Sequence, residues 1–504
     1  MVCKINCATI IGVEVLPVIV ETDICNGLPS FDMVGLLSYD IKESRERVRT
    51  ALKNSGFCVP PKRITINFSP GNIRKTGTYF DMPVAVSILW CLEMISCDLS
   101  NKMFVGELSL SGRVVEVNGV LPIVLYALEQ GMKYCFVPAK NLGECQFVTG
   151  IKVIGIESLN ELVMILTNGS YDKEIKRQQI TLNTYTEKKE NDFRWIKGQI
   201  QARRAAEISA AGMHNLLLIG PPGAGKTVIA KTMRTILPDM SEEERIEISK
   251  IQSIVGDLKG SLAKQRPFRK PHHTTTVSAM TGGGHNPRPG EITLAHRGVL
   301  YMDEFPEFSR EVMEALRQPL EDRCIDISRM GGTFSFPADF ILLASMNPCR
   351  CGYFPDRNKC SCTERDVKKY LEKISGPIWD RIDLCVHMNP MEFHDLTRES
   401  NHESSAEIKK RVDRAVQIQR ERYKQESVYF NSQLEGERIE KYCHLNKKEM
   451  DLIQKIYIKM ELSVRAYEKI IKTARTIADL KEHESISCED IAEAVSYKAV
   501  SVRG

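Results

Sequence analysis

A mixed α/β chain of three domains, the last of them helical, is the architecture this sequence predicts, and three observations predict it. Short β-rich runs alternate with helical patterns as far as about Leu166. From Gly198 to about Asn389, apolar runs alternate with helices as in a parallel sheet covered on both faces. From about Glu392 onward almost no β pattern remains. The length of 504 residues suits about three domains at ~100–200 residues each, large enough for separate cores.

Composition narrows the function classes. Apolar residues make up 42% and charged residues 27% of the chain, the balance of an ordinary soluble protein. A net charge of +4 is too small to mark a nucleic-acid binder in bulk, so such a site must come from local clustering of Lys and Arg. The sequence contains no run near the ~18–20 apolar residues of a membrane span and no basic-then-apolar leader, so no membrane partner and a cytoplasmic location are expected. Of 16 cysteines, only Cys349, Cys351, Cys360 and Cys362 look organised; the rest suit small buried hydrophobes in a reducing compartment.

The first domain, residues 1–167, carries strand patterns at Val13–Glu21 and Ile64–Phe68 and a helical pattern at Ile41–Ser55. Residues 168–192 are polar, lack apolar periodicity and read as a linker. Residues 193–391 form the second α/β domain. Residues 392–504 form the helical part, with amphipathic spacing in Glu407–Tyr423, Lys447–Met460 and Arg465–Leu480. Ser487 with Asp490 three residues on reads as a capping box for a last helix.

The strongest chemical signal follows the short apolar run Asn215–Ile219. There Gly220, Pro221, Pro222, Gly223, Ala224, Gly225, Lys226 and Thr227 complete a P-loop in strand-to-helix context. Phosphates crowd the backbone in such a loop, so glycines stand where a Cβ would clash, and free N–H groups supply positive potential. Lys226 is expected on the β- and γ-phosphates of ATP and Thr227 on Mg²⁺. A second apolar strand ends in Asp303 and Glu304: Asp303 would hold Mg²⁺ through water, and Glu304 would orient or deprotonate the attacking water. A third, Phe340–Ser345, leads to Asn347, a polar amide suited to sensing the phosphate, or simply a turn residue before Pro348. Arg381, just before the strand Leu384–Met388, would stabilise transition-state charge in a neighbouring subunit, and Arg465 would reach the γ-phosphate of its own. Surface ion pairs are the alternative for both. An α/β core of this kind followed by a helical lid is the layout of an AAA+ module.

Two clusters remain. Lys264, Arg266, Arg269, Lys270, His272 and His273, with Phe268 among them and Gly282–Gly284 beyond, suit a pore-facing loop that binds DNA phosphates without reading sequence, or else a solvated face. Cys349, Cys351, Cys360 and Cys362 form two tight pairs that suit a structural Zn²⁺ or, since one residue between paired ligands is tight, free thiols.

Several long motifs carry a specific resemblance: Arg266-Pro-Phe-Arg-Lys-Pro-His-His273, Pro289-Gly-Glu-Ile-Thr-Leu-Ala-His296, Glu314-Ala-Leu-Arg-Gln-Pro-Leu-Glu321 and Asn347-Pro-Cys-Arg-Cys-Gly352. From about Ile10 to Ala499 the chain resembles the magnesium-chelatase-like AAA+ ATPases of the YifB/ComM type. The resemblance implies a homo-oligomeric, hexameric ring acting as a DNA helicase in branch migration during natural transformation. It also implies Arg381 as the trans finger and Arg465 as the lid sensor. The alternative is a protein-remodelling ATPase, either a chelatase-type motor subunit or an unfoldase. Arg297 departs from the family, which carries a small polar residue there, and is expected to alter a subunit contact.

The N-terminal domain resembles the proteolytic domain of Lon at Gly106–Arg113 and Gly131–Pro138. Such proteases use a Ser–Lys pair. Here Tyr79-Phe80-Asp81 and Leu121 stand at those positions, so a noncatalytic module is expected, with Ser109 as the nucleophile the alternative.

Overall fold

A computed structural model describes residues 2–169, 191–258, 260–284, 287–329, 332–390 and 403–498. Most of the expected linker, and the expected boundary near 391, lie outside the described residues.

The first domain is built on a seven-stranded sheet. Its strands are β1 (Cys3–Ile11), β2 (Glu14–Cys25), β3 (Ser30–Val34), β4 (Arg63–Ser69), β5 (Lys102–Phe104), β6 (Tyr134–Pro138) and β7 (Lys152–Ile156), in the order β3-β4-β2-β1-β5-β6-β7. β1 and β2 form an antiparallel hairpin through Gly12, at φ +67°. A Cβ at Gly12 would stand 3.2 Å from the ring of Phe336 in the second domain, so this turn needs glycine twice over. Helix α1 is Tyr39–Asn54. Helix α2 (Asp81–Cys91) is buried from Asp81 to Leu89, as an element apolar on all sides must be. Helices α3 (Val120–Glu129) and α4 (Leu159–Asn168) complete the domain.

The second domain carries helix α5 (Ile200–Gly212), strand β8 (Leu216–Ile219), helix α6 (Lys226–Thr232), helix α7 (Glu242–Val255) and strands β9 (Phe268–Arg269) and β10 (Val299–Met302). An antiparallel hairpin of β11 (Cys324–Arg329) and β12 (Gly332–Pro337) follows, then β13 (Ile341–Met346) and β14 (Leu384–His387). The main sheet runs β9-β10-β13-β8-β14, all parallel. Because β8 lies between β13 and β14, the chain leaves it for the far edge and returns, opening a crevice at the carboxyl ends of the strands where open α/β sheets bind ligands. Every residue of β8, β10 and β13 is buried, which explains their continuous apolar runs.

The C-terminal helices are α8 (Ser405–Arg422), α9 (Lys447–Lys459), α10 (Val464–Leu480) and α11 (Cys488–Ser496). Ser404 and Glu407 close a capping box that starts α8 slightly ahead of the apolar repeat, and Ser487 with Asp490 caps α11 as its sequence predicts. These helices share one buried cluster with α5, α6 and one face of the second sheet; Val412, Ala474 and Leu218 all belong to it. The domains meet at α7, where Ser253 Oγ donates to Glu144 Oε2, in the short helix Leu142–Cys145, at 2.6 Å and Gly119 N, at the start of α3, donates to Ser253 O at 2.9 Å. No helix among the described residues is long and apolar enough to cross a membrane.

Candidate nucleotide site

The P-loop hangs from the tip of β8. Gly220 N donates to Met346 O at 3.2 Å, and a Cβ at Gly220 would fall 2.8 Å from Met388 O, so only glycine fits between β13 and the exit of β14. Gly223 and Gly225 have φ of +80° and +89°, the left-handed turns that bring the chain into α6. Lys226 Nζ donates to Gly220 O at 2.6 Å, Pro221 O at 2.9 Å and Asn347 Oδ1 at 3.0 Å. Burial pushes the Lys226 ammonium below its ordinary pKa. The two residues expected to sense the phosphates are thus hydrogen-bonded to each other.

The metal side is equally connected. Thr227 Oγ1 lies 3.4 Å from Asp303 Oδ2, and Ser345 Oγ donates to Asp303 Oδ1 at 2.5 Å. Tyr301 OH lies 3.1 Å from Ser345 Oγ. Lys270 Nζ donates to Asp303 Oδ2 at 3.0 Å and sits over the Tyr301 ring. Burial raises the Asp303 carboxyl, but the Ser345 and Lys270 contacts outweigh it and hold the pKa below the ordinary value. Thr227 and Asp303 offer an oxygen-only pair that fits Mg²⁺, which takes few protein ligands and completes its shell with water and phosphate. Glu304 follows with φ +55°, a region sparsely populated by residues with a side chain. Its carboxylate is 63% exposed and lies 3.8 Å from His273 Nδ1. Ser345 and Tyr301 escaped the sequence reading; their signal was a polar atom at the tip of an otherwise apolar strand.

The basic cluster lies elsewhere than expected. Phe268 and Arg269 form β9, the edge of the main sheet, rather than a pore-facing loop. Arg266 is 6% exposed; its guanidinium donates to both Glu244 oxygens at 2.8 and 2.9 Å and to the carbonyls of Pro238 and Arg297. A guanidinium so enclosed has no face for a phosphate. Arg269 is bidentate on Glu291 at 2.7 Å for each bond, and Phe268 packs on Tyr301. Lys270 and His273 belong to the nucleotide site, with the His272 ring tilted against His273 at 4.1 Å between centroids. Exposed basic residues stand instead on two hairpins: Arg288 follows the Gly282–Gly283 strand, and Arg329 ends β11. Gly283 is so close to Arg329 that a Cβ would meet Nη2 at 3.1 Å.

Arg381 and Arg465 converge on one carboxylate. Arg381 Nη2 pairs with Glu321, and Arg465 Nη2 reaches the other Glu321 oxygen at 3.1 Å. Arg381 precedes β14, and its carbonyl accepts from Asn215 Nδ2 at 2.8 Å. Asn215 precedes β8, and β8 and β14 run parallel from Leu216↔Leu384 to Ile219↔His387. The arginines therefore lie beyond the amino ends of the strands and the P-loop beyond their carboxyl ends, separated by about 10 Å of strand. The expectation that Arg465 reaches the γ-phosphate of its own chain does not match this placement. Arg297, expected at a subunit contact, is 8% exposed and pairs within the chain with Glu247 at 2.8 Å and Asp339 at 2.7 Å.

Beyond Asn347 the four cysteines come together, with all four Sγ atoms within 4.8 Å of one another. In the N-terminal domain, Tyr79 accepts a hydrogen bond from Ile10 N at 3.1 Å, Asp81 is buried against Ser44 and Arg47, and Leu121 is fully buried. These three residues are engaged in packing, a backbone hydrogen bond and a buried ion pair. Ser109 sits in a turn, bonded to Ser111 and Arg113.

A five-stranded parallel sheet with a P-loop, an Asp-Glu tip and a packed helical lid defines a P-loop ATPase of the AAA+ class. Residues 192–396 match the family model described as magnesium chelatase, subunit ChlI, and residues 402–498 match the C-terminal model of that subunit. Residues 20–141 match a further ChlI model. The chain is 39% identical to the uncharacterized protein YifB of Salmonella typhimurium and 38% identical to the competence protein ComM of Haemophilus influenzae. Each comparison covers 97% of this chain and 96% of the relative. The chain belongs to the magnesium-chelatase-like YifB/ComM family. Partial similarity extends to the DNA replication licensing factor mcm6 of Dictyostelium discoideum, 25% identical over 43% of this chain and 21% of that protein. It extends also to Lon protease 2 of Bacillus subtilis, 31% identical over 24% of this chain and 22% of that protein.

Proposed function

We propose that this protein is a ring-forming, ATP-driven motor on DNA, a ComM-type helicase that promotes branch migration of incoming DNA. The observation that carries the reading is the split of the catalytic groups between opposite edges of one sheet. Lys226, Thr227, Asp303, Glu304 and Asn347 gather at the carboxyl edge, while Arg381 and Arg465 share Glu321 at the other. Such half-sites complement each other when copies pack head to tail, and a head-to-tail contact that closes makes a ring. A hexamer is the ring size the family resemblance favours.

In the assembled site Lys226 would hold the β- and γ-phosphates of ATP, and Thr227 and Asp303 would hold Mg²⁺, whose chemistry is to offset charge on the phosphates. Glu304 positions water for attack, Asn347 orients it against the γ-phosphate, and Arg381 with Arg465 stabilises the transition state from the neighbouring copy. Arg288 and Arg329, on adjoining hairpins, are the residues that would meet DNA phosphates. The name of the 38%-identical relative, a competence protein, and the partial likeness to a replication licensing factor favour DNA as the substrate. The Lon-like N-terminal domain serves as a noncatalytic substrate-engaging module, and the location is cytoplasmic.

The test is ATP hydrolysis with and without forked DNA over a salt series, followed by a branch-migration assay, with Lys226→Ala as the inactive control. Strong, salt-sensitive stimulation is expected. Hydrolysis indifferent to every DNA structure would transfer the reading to protein remodelling, which the partial likeness to Lon protease 2 favours.

A further inference from the structure

We propose that Cys349, Cys351, Cys360 and Cys362 bind one Zn²⁺, and that this metal knuckle clamps the P-loop and Asn347 in place. The second half rests on the ATPase reading; the first does not.

The thiol geometry is that of a closed metal site. Zn–S bonds of about 2.3 Å in a tetrahedron set the sulfurs about 3.8 Å apart. Here Cys349 and Cys351 are 3.3 Å apart, Cys349 and Cys360 3.8 Å, and Cys351 and Cys360 3.5 Å. None of the four is in a disulfide. Phe354 N points at Cys349 Sγ, 3.4 Å away, so the loop backbone turns a donor toward the sulfur cluster. Arg350, Arg357 and Lys359 outnumber Asp356 in the same loop, a local excess of positive charge that suits four thiolates around a dication. Four protein ligands leave no position for water, so the metal is structural.

The loop also needs such a staple. Between Asn347 and Thr363 it has little regular structure, and uninterrupted loops beyond ~12–15 residues are uncommon in compact domains. Its interior is a cluster separate from the main cores, comprising Cys349, Cys360 and Val367 with Phe354 and Leu371 alongside. So few apolar groups cannot offset the entropy of ordering the segment, and small cores of this kind are commonly held by metal.

The knuckle is seated on the nucleotide site. Gly352, at φ +90°, packs so closely that a Cβ there would fall 2.7 Å from Pro222 Cδ and 3.8 Å from Asn347 Cγ. Asn347 in turn accepts from Lys226. Metal on Cys349 and Cys351 therefore fixes the segment that carries Asn347 and braces Pro222.

The experiment is metal analysis of the full-length protein purified under reducing conditions, combined with Co²⁺ substitution and nucleotide binding. About one Zn²⁺ per chain is expected in the wild type, in Lys226→Ala and in Cys58→Ser. In Cys360→Ser and in the milder Cys362→Ser the metal content should fall at least ~5-fold. Co²⁺ should give the intense visible bands of a tetrahedral thiolate site, since the ligands are sulfur in that geometry. Wild-type protein without bound Zn²⁺ and without those Co²⁺ bands would overturn the site. For the clamp, stripping the metal should weaken binding of a fluorescent ATP analogue ~10-fold, with recovery on adding Zn²⁺. Unchanged nucleotide affinity after complete removal would overturn the clamp. Failure of the ATPase reading would show differently, as a zinc-loaded wild type that does not hydrolyse ATP.

Discussion

At the tip of β10, Glu304 is held at φ +55°, and backbone strain of this kind costs roughly 1–3 kcal/mol, which the surrounding structure must offset. Replacing it by Gln keeps the shape and the P-loop but removes the carboxylate proposed to act on the attacking water. The expected outcome for Glu304→Gln is nucleotide binding within about twofold of wild type, with single-turnover hydrolysis slowed ~10²–10⁴-fold. Glu247 gives a pH prediction. Burial raises its carboxyl, but His296 and Arg297 outweigh burial and lower it from 4.5 to about 2. A depressed carboxylate contributes stability above its unfolded pKa and loses it as pH falls through the folded one. The melting temperature of the wild type should therefore drop between pH 4.5 and 2, and Glu247→Gln should flatten that part of the profile in a thermal unfolding series.

At the scale of elements, two groups of arginines separate by their surroundings. Arg266 ties α7 to the entry of β10 through Glu244 and the Arg297 carbonyl. Breaking a buried pair on one side costs about 3–5 kcal/mol, so Arg266→Ala should lower the melting temperature and reduce ATPase with and without DNA alike. Arg288 and Arg329 are on exposed hairpins. The double variant Arg288→Ala with Arg329→Ala should keep basal hydrolysis, lose most DNA stimulation and shallow the slope of log affinity against log salt by roughly 0.9 per phosphate contact removed. A DNA titration at several salt concentrations reads both. Both hairpins were illegible in the sequence as a pair, because their meeting at Gly283 and Arg329 is long-range. The cluster from Arg266 to His273 was conspicuous because its charges are contiguous, yet the fold pairs Arg266, Arg269 and Lys270 with Glu244, Glu291 and Asp303.

For the whole molecule, the arrangement of half-sites makes a prediction about mixtures. Lys226→Ala and Arg381→Ala should each abolish hydrolysis, the second by ~10³-fold or more for an arginine acting in trans. Mixed in equal amounts, they should recover part of the wild-type rate, because some contacts then join an intact P-loop to an intact arginine. Mixtures as inactive as the separate variants would assign Arg381 a role inside its own chain. The N-terminal domain is joined to the ATPase core through the buried Glu144 and Ser253. Ser253→Ala leaves that carboxylate with Asn141 as its remaining side-chain partner and should cost about 1–3 kcal/mol, read as an earlier unfolding transition in calorimetry.

The sequence alone determined the parts whose chemistry is contiguous. The P-loop, the Asp303-Glu304 tip, the apolar strands leading to them and the capping box at Ser487 are local patterns, because phosphate binding, strand burial and helix capping each act over a few neighbouring residues. Tertiary structure alone decided which charges meet. It set Lys270 on Asp303, hid Arg266 against Glu244, and placed Arg465 with Arg381 on Glu321 rather than beside Lys226. The physical reason is that an ion pair depends on distance and desolvation across elements far apart in the chain. The order in which parallel strands assemble fixes those distances, and strand order leaves no local mark on the residues it brings together.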